Sequence, residues 1–222
     1  MFKHEKQLLF PVKIDAPNPN YAAMMQEQLS GPHGELKAAL QYMSQSFLIN
    51  DPQIKDLFLD VASEELGHME MVATTVNLLN GHTLDAANAN SGSIEAHVQT
   101  ELTPALTNAS GFPWTGAYIE ATGDLAADIL SDIAAEERAK VVYQYLYRQI
   151  NDKGVRETIV FFAKPRRSAQ LFREAFNRIK DTGSLKDWGV TGDSKMYFDL
   201  SSPGGQYFAP SNPQPPQFTN PN

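Results

Sequence analysis

The sequence predicts an all-α fold, a bundle of four helices with one long crossover, and three observations carry that prediction. Apolar residues recur at helical spacing in four stretches, and only a short capped break separates the first stretch from the second. A long segment with weak periodicity then stands between the second and third.

Residues 1–20 alternate briefly from Leu8 to Ile14 and then meet Pro17-Asn18-Pro19-Asn20, the pattern of an extended arm. Helical spacing follows over about 21–49 and 51–80. The split falls at Asn50-Asp51-Pro52, where Asp51 can cap and Pro52 can take the first helical position. So short a break implies antiparallel neighbours. Residues 82–115 are rich in Asn, Ser, Gly and Pro and are long enough to cross the end of a bundle. A third helix is expected over about 123–149 and, after Asn151-Asp152-Lys153-Gly154, a fourth over about 155–179. Two short connections around one long one make a ferritin-like topology. The domain plan is therefore an arm (1–20), a bundle (21–180) and an irregular tail (181–222), whose last part, 210–222, is of low complexity.

Composition narrows the chemistry. A net charge of −8 lacks the basic footprint of a nucleic-acid binder, and no run reaches the roughly 18 apolar residues of a membrane span. No apolar run of signal-peptide length appears near the start, which fits a cytoplasmic protein. With no cysteine, any metal must be held by carboxylates and imidazole.

Carboxylates occupy positions where a core stripe should be apolar. On the second helix Leu57, Val61, Glu65, His68, Val72 and Val76 follow steps of three and four, so Glu65 and His68 share the aliphatic face. On the third, Leu125, Ile129, Ile133, Glu136, Tyr143 and Leu146 do the same. Glu35 lies in line with Ala39 and Tyr42 on the first. Three buried carboxylates would neutralise rather than stay charged unless a cation compensates them. Glu65-Leu66-Gly67-His68 is the i, i+3 Glu-x-x-His pair with which dinuclear-metal bundles project two ligands inward. His4, His33, His82 and His97 fall in arm or loop-like sequence and are not read as ligands; His33, two residues before Glu35, is the nearest.

The stretches NPNYAAMMQEQLSGPHGELKAALQYMSQSF, EELGHMEMVAT, GFPWTGAYIEATGDLAADILSDIAAEERAKVVYQYL and LFREAF resemble the manganese catalases and their spore-coat relatives, over about residues 1–205. The resemblance implies a cytoplasmic homohexamer with two manganese ions per subunit that converts two molecules of hydrogen peroxide to dioxygen and two waters. It implies that Glu35 and His68 bind one manganese, that Glu65 bridges both and that Glu136 binds the second. Tyr42, two turns beyond Glu35, matches a tyrosine that the family places behind the ligands. It also implies a calcium site away from the chemistry, with Asp56 and Asp60 on the second helix and Asp199 and Ser201 near the C-terminal end. There Pro203 stands where the family usually has glycine.

One part of the family pattern is missing. The fourth helix should carry a second Glu-x-x-His, but this chain reads Phe161-Phe162-Ala163-Lys164-Pro165-Arg166-Arg167-Ser168. Alignment from LFREAF puts Ser168 at the histidine position and Pro165 at the glutamate position; alignment from GVRETIVFF gives Ala169 and Arg166. Neither register supplies a histidine. Pro165 should kink or restart the helix, and Lys164, Arg166 and Arg167 form either a solvated basic patch or a cation turned into the bundle. Carboxylate oxygens and imidazole suit manganese or iron alike. A non-catalytic structural or metal-sequestering relative, which the altered fourth helix would permit, and a di-iron oxidase stand beside the catalase as alternatives.

Overall fold

The computed structural model describes residues 7–81, 106–163 and 167–181. Residues 1–179 pack as one compact unit, distinct from 180–222. Six α-helices fall among the described residues: α1 (Pro19–Ser30), α2 (Glu35–Ser46), α3 (Pro52–Leu79), α4 (Leu125–Gln149), α5 (Lys153–Ala163) and α6 (Arg167–Asp181).

Each start has a local cause. Asn18 caps α1 by accepting from the Tyr21 amide at 3.2 Å, and Pro19 supplies a fixed φ at the first turn. Asp51 caps α3 by accepting from the Gln53 and Ile54 amides, and Asp124 caps α4 through the Ala127 amide. Asp152 does the same for α5 through the Val155 amide at 2.9 Å.

The continuous first helix expected over 21–49 is in fact two. Gly31 adopts φ −70° and ψ 173° before Pro32, a residue with no amide hydrogen that drives its predecessor out of the helical region. The chain turns through 31–34 and restarts at Glu35. This break has a functional result: Glu35 opens α2, where the exposed amides of a helix N-terminus favour negative charge. The fourth predicted helix is described as two stretches, α5 up to Ala163 and α6 from Arg167. Lys164, Pro165, Arg166 and the Arg167 side chain lie outside the described residues.

α3 packs against both α1 and α2, α4 against α5, and α2 reaches α4. The core between them is aliphatic and aromatic, with Met25, Met71, Val72, Val76, Ile159 and Phe162 buried. From α6, Phe172 meets the rings of Tyr42 and Phe58 edge-on at 5.0 and 5.1 Å. The acidic face of α4 is broader than the spacing predicts. Asp128 and Asp132 are buried beside Glu136, while Leu125 and Ile133 sit only half-buried on its flank.

The arm lies on the bundle with the period of an extended chain. Leu8, Phe10, Val12 and Ile14 are half-buried and the residues between them exposed, as alternation requires. Phe10 stacks on Phe161 of α5 at 5.1 Å. The Asp15 amide donates to Asp152 Oδ2 at 2.8 Å while the Lys153 amide donates to Asp15 Oδ2 at 2.7 Å, locking the arm to the start of α5. Two glycines admit it. A Cβ on Gly67 would come within 2.6 Å of Leu9 Cδ1, and one on Gly154 within 2.4 Å of the Lys13 carbonyl oxygen. The neighbour at Gly154 is backbone and cannot swing aside. Gly154→Ala is expected to lift the arm and lower stability by about 1–3 kcal/mol, read as a lower urea midpoint with an unchanged slope. An unchanged midpoint would show that the arm contributes little.

Candidate metal centre

Two of the three helices expected to supply ligands bring theirs together. Glu35 at the start of α2 and Glu65 and His68 on one face of α3 are buried, and one ligand atom from each lies within 4.8 Å of the others. His68 Nδ1 is 2.9 Å from Glu65 Oε2 and 3.9 Å from Glu35 Oε2. The other ring nitrogen lies 3.9 Å from Oε1 of exposed Glu64, too long for a hydrogen bond. Phe161 and Phe162 of α5 meet the imidazole edge-on at 6.0 and 5.4 Å and fix its plane.

Glu136 stands outside this trio but is also buried, at 1 % exposure. Its two oxygens have different partners. Tyr42 donates its hydroxyl to Oε1 at 2.5 Å, and Ser168 donates Oγ to Oε2 at 2.8 Å. Of the two residues that the alignments put at the altered position, Ser168 has a side chain that meets Glu136. Across the seam Tyr143 of α4 donates its hydroxyl to Glu35 Oε1. A cavity of about 10 Å³, room for roughly one water, is lined by Glu35, Tyr42 and Glu136 with Ala38, Ala135 and Ala139. Exposed His33 and buried Lys37 also line it. Burial pushes the Tyr42 phenol well above its ordinary value, helped by the charges of Glu136, Asp132 and Glu65, so it stays protonated and donating.

A polar layer lies one turn from the ligands. Gln41 donates Nε2 to Asp132 Oδ1 at 2.8 Å and accepts the Glu120 amide at 2.9 Å, and Gln45 donates to the Glu120 carbonyl at 2.7 Å. Asp128 accepts from the Thr122 amide and hydroxyl. The layer thus ties the entry to α4 onto α2 and sets the height of Glu136. Burial pushes Asp132 up to about 7; the amides of Gln41 and, more loosely, Gln45 oppose it, as does the Lys37 ammonium. An unfolded aspartate titrates near 3.8. Between those values the unfolded chain is ionised while folded Asp132 keeps its proton, so this residue's contribution to stability is present below about pH 4 and lost as pH rises to about 7. Asp132→Asn keeps the Gln41 bond and cannot ionise. It should gain on the wild type progressively across that window, by a few kcal/mol at most, and parallel denaturation curves from pH 4 to 8 would refute this.

Asp56 and Asp60 are exposed, one turn apart on α3. Asp199 and Ser201 lie outside the described residues, as do His4, His82 and His97. The spacing did not single out Tyr143, Asp132 or Asp128 as site residues. The available signal was the recurrence of Glu-x6-Tyr, at Glu35 and Tyr42 and again at Glu136 and Tyr143.

The donor set suits a hard or borderline divalent ion: carboxylate oxygens, one imidazole and no thiolate. Glu35 and Glu65, each 1 % exposed and converging on one imidazole, are the arrangement a cation compensates. Residues 1–186 match the model of the manganese containing catalases. The chain is 58% identical over 224 residues to a probable manganese catalase of Clostridium acetobutylicum, covering 100% of this chain and 99% of that protein. It is 36% identical over 187 residues to the protein CotJC of Bacillus subtilis, covering 84% and 98%. The solved structure of KatB, a manganese catalase from Anabaena, superposes with a TM-score of 0.74 at 30% identity, covering 100% of both chains. A buried carboxylate and imidazole site on a helical bundle, matched over nearly its whole length at this identity, places the chain in the manganese catalase family.

Proposed function

We propose that this protein disproportionates hydrogen peroxide at a dimanganese centre, in which Glu35, Glu65 and His68 hold one ion and Glu65 with Glu136 holds the other. The observation that supports it best is the buried trio of Glu35, Glu65 and His68 beside a cavity that Glu136 also lines. Bound manganese would supply reversible one-electron steps at two centres, so that two electrons can be taken from one peroxide and given to another.

The chain's own groups account for the rest. A cavity of about 10 Å³ has room for roughly one water and excludes large reductants. One peroxide yields dioxygen, two protons and two electrons; the other takes these up to become two waters, so no net proton is consumed. Tyr42 keeps its proton on the hydroxyl and fixes Glu136 Oε1, and Ser168 fixes Oε2. Where the family pattern has a second histidine this chain has that hydroxyl. Water or a neighbouring side chain would then complete the second ion's coordination. Charge supports two ions over one, because three buried carboxylates with a single divalent cation leave about one negative charge in a low-dielectric core.

Metal analysis with an oxygen electrode tests this reading. Two manganese per chain with dioxygen evolved from peroxide is the expected result. Full manganese occupancy without dioxygen, or iron with dioxygen consumed, would refute it. A homohexamer in the cytoplasm is part of the same proposal, checked by sedimentation and by cell fractionation. So is calcium at Asp56 and Asp60, which no uptake in equilibrium dialysis would exclude.

A further inference from the structure

The two tyrosine–glutamate contacts are related by the register of α2 and α4. Glu35 and Tyr42 are seven residues apart on α2, and Glu136 and Tyr143 are seven apart on α4, so on each helix the pair spans two turns of one face. Tyr143 donates to Glu35 and Tyr42 donates to Glu136. That crossing requires the two helices to run antiparallel, each presenting its glutamate opposite the other's tyrosine. The cavity lies on the seam between the pairs, where Ala38 and Ala139 leave room for it. All four side chains are buried, at 1 % exposure or less.

The halves differ in what completes them. On the Glu35 side the carboxylate has Oε1 on Tyr143 and Oε2 turned towards His68, within the gathered trio. Tyr143 also stacks on Phe162 at 4.8 Å, and Phe162 in turn meets His68 edge-on. One residue therefore orients a carboxylate directly and an imidazole through a shared ring. On the Glu136 side Tyr42 faces Ser168, which offers a hydroxyl but no imidazole.

We propose that Tyr143 is the positioning residue of the first-filled, tighter metal position, holding Glu35 as Tyr42 holds Glu136, so that the two tyrosines govern two separable metal affinities. The inference rests on the dinuclear site proposed above. Ligands whose orientation is fixed by an outer hydrogen bond lose about 10- to 100-fold in metal affinity when that bond is removed. Phenylalanine deletes only the hydroxyl and keeps the stack on Phe162.

The test is a manganese titration of the full chain, followed by the electron paramagnetic resonance of unbound Mn(II), which yields stepwise dissociation constants independently of activity. Tyr143→Phe is expected to raise the first constant about tenfold and leave the second unchanged; Tyr42→Phe should do the reverse. In a Glu35→Ala background Tyr143→Phe should add nothing, because the hydroxyl acts through that carboxylate. The inference is overturned if the first constant moves less than twofold, if both tyrosine variants weaken the same step, or if Tyr143→Phe lowers only the melting temperature of the metal-free protein. A wild type that takes up no manganese would overturn the dinuclear reading itself, a result distinct from normal uptake with an indifferent Tyr143.

Discussion

Glu65→Ala is expected to remove manganese from the protein and with it the dioxygen evolution, while the metal-free bundle stays folded. As the proposed bridge, Glu65 touches both ions. Two lost contacts, each mattering at least as much as an outer partner's roughly 10- to 100-fold, put the loss of affinity at about 10²- to 10⁴-fold or beyond. Its side chain is 1 % exposed and lies against His68 within the gathered trio. Stability should follow occupancy. Ligand at about 100 times its dissociation constant adds about 2.7 kcal/mol to the folded state, and the variant should no longer respond to added manganese. Glu64→Ala, one residue away and about 100° round the helix, is the control. Its carboxylate is exposed and 3.9 Å from His68 Nε2, so uptake should stay near normal. Equal losses in both variants, or unchanged metal content in Glu65→Ala, would remove the case for the site.

Ser168→His should strengthen the second manganese and leave the first alone. Ser168 is buried with its hydroxyl 2.8 Å from Glu136 Oε2, so an imidazole there enters the space between α4 and α6 that the family's missing ligand would fill. A direct ligand should matter at least as much as an outer one, so the second dissociation constant should fall by about 10- to 100-fold. Glu35, Glu65 and His68 keep their contacts, and the first constant should hold. In wild-type crystals loaded with manganese, anomalous scattering at the metal edge should show two peaks, the one near Glu136 weaker until Ser168 is changed. A single peak beside Glu35 and His68 at full loading would mean that the altered helix has cost the protein its dinuclear centre. An unchanged second constant in Ser168→His would mean that residue 168 does not reach the ion.

Much of the bundle was legible because it depends on period and punctuation. Asp51-Pro52 begins a helix wherever it occurs before an apolar repeat, and Glu65-x-x-His68 shares a face with Val61 and Val72 by arithmetic alone. The split of the first helix was harder to see, since the apolar repeat runs through it. Pro32 overrode the repeat by forcing Gly31 into extended backbone. Tyr143 read as core because a buried tyrosine ring packs like any aromatic, and only the folded partner shows what its hydroxyl meets. Asp128 and Asp132 were passed over for the opposite reason. Acidic residues are rarely buried without partners, and theirs come from Gln41 on another helix and from Thr122 in the loop before α4. The choice between Ser168 and Ala169 turned on one residue of register across Pro165, which no local pattern decides.

The docking of the arm has a consequence for biosynthesis. Asp15 bonds to Asp152, 137 positions further along the chain, and Phe10 rests on Phe161. During translation the arm therefore emerges long before its seat on α5 exists. The strap closes only when α5 has left the ribosome, a long-range contact that forms late because it must wait for loop closure. A nascent chain stalled before residue 153 would lack Phe161 and Phe162, the two rings that meet His68 edge-on, and its arm would have no seat on α5.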